Sequence, residues 1–171
     1  DKRKELEKEG TNKEDIEFEK KNWLLLEAQR HTIKNSFDFI IESVGVFDNI
    51  TLVKKATIIM VDKCEKLLSD IESGTLPIKK ADTTINNCLD ITLVNEDYTL
   101  GKVIEYYLYT KHYEGDSTLS FCGFSKPHPH DKNSFIRIAF NEETEKSVAL
   151  SYIAAAANDT IAVFNKINDL I

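Results

Sequence analysis

The chain has 171 residues, 42% of them hydrophobic and 30% charged, and a formal net charge of -7 at pH 7. That length holds one domain of ordinary size, or a small domain with an appendage, and the apolar fraction suffices for a packed core. The acidic balance argues against a surface built to grip phosphates, so no direct nucleic-acid contact is expected and protein is the default partner. No apolar run approaches the roughly 18 residues that cross a bilayer and no signal-peptide pattern opens the chain, so no membrane partner is expected either.

Asp1 is followed by Lys2-Arg3-Lys4 without a start methionine, which reads as a piece cut from a longer protein. Residues 1–30 begin as a run of charges of both signs broken only by Leu6, Ile16 and Phe18. Such a segment buries little, and we expect disorder or a loose solvated helix there. Trp23 to Leu26 supply the first apolar cluster, of open secondary structure.

From Ser36 the pattern alternates, with Phe37, Phe39 and Ile41 on one face and Asp38, Ile40 and Glu42 on the other, which predicts a strand over 36–44. Asp48 or Asn49 can cap a helix over 49–72, stopped by Gly74 and Pro77. Val53, Thr57, Met60, Cys64, Leu67 and Ile71 make a seam of alternating four- and three-residue spacing along it, the pattern of a helix packed lengthwise on another helix. Residues 31–73 therefore read as one strand–helix unit and residues 74–82 as a linker.

A second unit, 83–171, follows. Leu89, Ile91 and Leu93 alternate in a strand near 88–94, and a helix over 98–111 carries Leu100, Val103, Ile104, Tyr107 and Leu108 on one face. Leu119, Phe121 and Gly123 share one face of a strand near 118–125, and Ile136, Ile138 and Phe140 point inward from a strand near 134–140, with Arg137 outward. A last helix over 144–171 presents Leu150, Ile153, Ala157, Phe164, Ile167 and Ile171 on one seam with Ile161 beside it, more than its own small sheet needs. The fold class is α/β (α+β): a two-layer sandwich of a mostly antiparallel sheet with long helices on one face. Charge placed at Met60, Leu67, Ile167 or Ile171 should disrupt association before folding.

Three motifs in order then resemble a known family. Asp97-Tyr98-Thr99-Leu100-Gly101-Lys102-Val103-Ile104 resembles the D-H-T-L-G-N-L-L that opens the first helix of RNA polymerase subunit 11 and archaeal subunit L. Phe121-Cys122-Gly123-Phe124-Ser125-Lys126-Pro127-His128-Pro129 resembles that family's F-x-G-Y-x-x-P-H-P, and Ile136-Arg137-Ile138 its L-R-I strand. A weaker match, Phe37-Asp38-Phe39-Ile40-Ile41-Glu42-Ser43-Val44-Gly45 and the helix after it, resembles the closing strand and helix of subunit 3, whose earlier part is absent. The order suggests a fusion of the two subunits of the kind found in a viral polymerase.

The resemblance implies the alpha/subunit 11-like dimerisation fold and a non-catalytic scaffold of DNA-directed RNA polymerase. Its implied partners are the largest and second-largest subunits, small polymerase subunits and the remainder of its own subunit 3-like domain. The fragment alone could self-associate. The expected location is host cytoplasm and virion if viral, nucleus if cellular.

The residues themselves suggest modest tasks. Asp97 and Thr99 offer oxygens to free amides at a helix start, Gly101 leaves room for another backbone, and Pro127 and Pro129 force the strand out of the sheet. No chemistry is expected. His128-x-His130, with Cys122 or Asp131, is the only arrangement that tempts a metal or ligand reading, and its prolines and turn position explain it structurally. Tyr106, Tyr107 and Tyr109 could stack bases but read as packing residues. Gly101-Lys102 lacks a glycine-rich loop, no G-x-S-x-G elbow occurs, and Cys64, Cys88 and Cys122 are too widely spaced for zinc. We expect three reduced, mostly buried thiols and no cofactor. A free dimerising adaptor with no polymerase role is the other alternative.

Overall fold

The computed structural model describes residues 12–171, so the expectation for residues 1–11 lies outside the described part. The chain divides into two units, residues 1–42 and 43–171. In the first, α1 (Lys13–Leu25) starts at Asn12, whose side-chain oxygen accepts from the Glu14 amide at 2.8 Å. This helix buries no residue, as its mixed-charge sequence implies. A 3-10 turn at Ala28–Arg30 follows, and the Trp23 and His31 rings stack at 5.9 Å.

The strand expected over 36–44 does not form: the segment is irregular up to Asp48 and crosses the boundary between the units. Phe37, Phe39 and Ile40 are exposed. Period-two patterning only prepares a strand; a ladder needs a neighbouring strand, and among the described residues the one four-stranded sheet does not include this segment.

The second unit holds α2 (Asn49–Glu72), β1 (Ile78–Lys80), β2 (Cys88–Leu93), α3 (Tyr98–Leu108), β3 (Leu119–Ser125), β4 (Ser134–Phe140) and α4 (Lys146–Leu170). Asp48 caps α2 by accepting from the Thr51 amide at 2.9 Å and hydroxyl at 2.6 Å, bonds that hold its carboxyl below the usual range. Asp97 caps α3 through the Thr99 amide at 3.2 Å. Gly74 at φ +70° ends α2 in the left-handed conformation that glycine adopts freely. A π-helical turn at Tyr109–Tyr113 ends α3.

The sheet is antiparallel, in the order β1-β2-β4-β3. The expected linker is thus a correction: 74–82 contains β1, with Ile78 opposite Ile91 and with Leu76 and Ala81 buried. Its two lysines suit an exposed sheet edge. The helices cover one face, where Leu89, Ile91, Leu93, Ile136, Ile138 and Phe140 join Leu100, Ile104, Leu108, Ile153 and Ala157 in one core. On the other face Asp90 lies opposite Arg137, and the guanidinium makes a two-pronged bond to the buried carboxylate at 2.6 and 2.9 Å.

The expected face of β3 is also corrected. Leu119 pairs with Phe140 but Phe121 with Ala139, so Ser120 is an extra residue and the strand bulges. Leu119, Cys122 and Phe124 therefore face the helices, while Phe121 and Gly123 face away. Phe124 settles the role of Gly101 as well. A methyl group there would lie 2.0 Å from the Phe124 ring, so the glycine admits a side chain rather than a backbone. That ring lies 5.2 Å from the Tyr98 ring and beneath the Lys102 ammonium. Gly101→Val should cost about 1–3 kcal/mol of stability by displacing it. A urea midpoint equal to that of the parent chain would contradict this packing.

Candidate assembly surface

The two seam helices meet each other. α2 lies along α4 and buries Thr57, Met60, Cys64 and Leu67, while α4 buries Ala149, Ile153, Ala156, Ala157 and Thr160. The small side chains at Ala156 and Ala157 allow the close approach, and the Thr160 hydroxyl satisfies itself on the Ala156 carbonyl at 2.8 Å. The contact reaches the last turn of α4, where the Thr57 hydroxyl shares its one proton between the Lys54 carbonyl at 2.7 Å and, more weakly, Asn168 Oδ1 at 3.3 Å. Farther along α2, Lys63 makes an ion pair with Glu96 in the β2–α3 turn. The Glu96 backbone is itself held, since its carbonyl accepts from the Ser134 hydroxyl at 2.7 Å.

Burial along this pair is graded. Beyond Thr160 no residue of α4 is buried, and before Thr57 none of α2 is. Of the expected interface residues, Met60, Cys64, Leu67, Leu100, Ile104, Ile153 and Ala157 belong to the chain's own core. Val53, Ile71, Val103, Tyr107, Leu150, Ile161, Phe164 and Ile167 are half-buried, and Ile171 is exposed. Exposed Ile50, Ile58, Ile59, Val163 and Leu170 add apolar area that the seam rule passes over, because it counts only positions repeating every seven residues. Along this helix pair, the apolar surface that the chain does not itself cover is therefore greatest at the start of α2 and the end of α4.

Contrary to the expectation that no stretch approaches the length of a membrane span, α4 is by length and composition long and apolar enough to cross one. It nevertheless carries Asp159, Lys166 and Asp169, and its inward face is occupied by α2 and the sheet. A protein contact accounts for both features.

The residues that tempted a chemical reading take structural positions. The His128 and His130 rings lie 5.2 Å apart, but His128 Nδ1 accepts from the His130 amide at 3.1 Å and the His128 carbonyl from the Asp131 amide at 3.0 Å, a turn held by its own bonds. Among the described residues no group of three or more His, Cys, Asp or Glu could hold a metal ion. His112 Nδ1 lies 2.8 Å from Asp116 Oδ2, and its ring stacks on Tyr152 at 4.0 Å. Asp116 also accepts from the Thr118 hydroxyl at 2.7 Å, the first reason its carboxyl is held below the usual range. Tyr107 packs on the core margin, whereas Tyr106 and Tyr109 are exposed, which corrects the reading of all three as packing residues.

Burial pushes the Cys64 thiol up to about 11 and Cys122 to about 12, and raises Cys88 as well. At pH 8 a thiol-modifying reagent should thus react with Cys64 on the order of a hundredfold more slowly in the native chain than in denaturant. Equal rates in both states would show that the α2–α4 seam is open.

Residues 88–169 match the RNA polymerase Rpb3/Rpb11 dimerisation domain family. The chain is also 36% identical over 63 residues to DNA-directed RNA polymerase II subunit rpb11 of Dictyostelium discoideum, across 37% of this chain and 48% of that relative. It therefore spans about half the length of the curated relative it matches. The family match begins at β2 and leaves out α2 and β1. The antiparallel four-stranded sheet with its helices agrees with the Rpb3/Rpb11 dimerisation fold.

Proposed function

We propose that this chain is a non-catalytic assembly subunit of a DNA-directed RNA polymerase. In this reading α2 belongs to a subunit 3-like half, fused ahead of a subunit 11-like domain formed by 83–171. The observation that carries it is the packing of α2 along α4: a helix outside the family match fills the seam of the helix that ends it. The arrangement resembles the fused subunit 3-11 of the African swine fever virus polymerase, which would place the protein in host cytoplasm and virions; a cellular protein would sit in the nucleus.

The work done is burial of apolar helix faces, with no cofactor. Partners are the largest and second-largest polymerase subunits, small polymerase subunits, and the remainder of the subunit 3-like domain. That remainder would supply the strands that 36–44 needs for pairing. Its exposed Phe37, Phe39 and Ile40 are the kind of residues such a sheet would bury.

Affinity capture of the full-length protein from cells or virions that make it tests the reading. The two large polymerase subunits should be recovered with it. Recovery of the intact protein without either of them would refute the assignment.

A further inference from the structure

The seam between α2 and α4 is apolar and repetitive, and repetition leaves its register weakly defined. A helix shifted by seven residues, about 10.5 Å, would put Leu67 where Met60 sits and Ile71 where Cys64 sits. Both are apolar side chains that the same groove could accept. In the other direction, Val53 and Thr57 would take those places. Apolar burial alone therefore discriminates poorly between the observed docking and its neighbours. The short turn after α2 limits its sliding but not its rotation, nor the docking of the same helix from a second molecule.

Two polar contacts break this degeneracy. Lys63 pairs with Glu96, with side chains 32% and 12% exposed, and Thr57 bonds Asn168. In one shifted register Asp70 would face Glu96, setting carboxylate against carboxylate; in the other Ala56 would leave Glu96 without its cation. At Asn168 the shifted partners would be Cys64 or Ile50. The backbone that carries Glu96 is fixed in place, because the Ser134 hydroxyl donates to its carbonyl and the Asn95 amide next to it donates to Asn133 Oδ1 at 3.0 Å.

We infer that Lys63–Glu96, supported by Thr57–Asn168, determines which helix the domain accepts and in which register. The apolar seam supplies the attraction, and the partly buried charges reject wrong alignments. This rests on the contacts that α2 makes with α4 and with the β2–α3 turn, so failure to capture polymerase subunits would leave it standing.

Reciprocal charge reversal in the 171-residue chain tests it, read by hydrogen exchange of the 57–67 amides. Lys63→Glu and Glu96→Lys should each lower protection there roughly fivefold to tenfold, because like charges then face each other. The double variant Lys63→Glu/Glu96→Lys should restore protection to within about twofold, and it remains informative even if a single variant fails to fold. Single variants as protected as the parent, or a double variant no better than the singles, would overturn the inference.

Discussion

Leu67→Glu should unfold the second unit outright. Leu67 is 4% exposed and Met60 7%, and both lie in the core shared by α2, the sheet and α4. The cation one turn back on the same helix, Lys63, is already engaged by Glu96, and the adjacent Lys66 is exposed to solvent, so a carboxylate at 67 would be buried without a partner. The neutral control Leu67→Ala should cost about 2–5 kcal/mol from lost burial and the cavity left behind. The charge adds its desolvation penalty, in a fold whose total stability is of order 5–15 kcal/mol. Met60→Glu should act in the same way. Circular dichroism and urea unfolding check both, and a cooperative native transition for Leu67→Glu would contradict the burial described. This replaces the expectation, drawn from spacing alone, that such charges would spare folding and block only association. Spacing identifies a seam; it does not say whether the chain fills that seam itself.

The same limit explains what was legible. Helix bounds followed from caps and stops: Asp48 and Gly74 bracket α2, and Asp97 starts α3. Strands β2 and β4 followed from alternation, because each carries apolar residues on one face and Asp90 or Arg137 on the other. β1 escaped because three residues with one inward side chain show no period, and Gly74, Pro77 and two lysines imitate a linker. The bulge at Ser120 escaped because Phe121, Cys122 and Phe124 are all apolar, so either face looked plausible. The segment 36–44 failed in the opposite sense: its pattern suits a strand, but pairing is a property of neighbours that the pattern cannot contain. Gly101 was recognised as a point of close approach, yet only the bulge brings the Phe124 ring against it.

The overhanging end of the helix pair carries the central claim, that these helices form an assembly surface. Ile167 is half-buried and Ile171 exposed, both beyond the last buried residue of α4. Ile171→Glu should leave stability within about 0.5 kcal/mol of the parent, since its side chain already meets solvent, and Ile167→Glu should cost somewhat more. At an interface the same charges would be desolvated against apolar partner side chains, a loss that can remove binding altogether. The most direct measurement is capture of large polymerase subunits by full-length protein carrying Ile167→Glu and Ile171→Glu, with folding monitored in parallel by circular dichroism. The account predicts a folded chain that no longer brings down the large subunits. Undiminished recovery of both large subunits by the folded variant would contradict it.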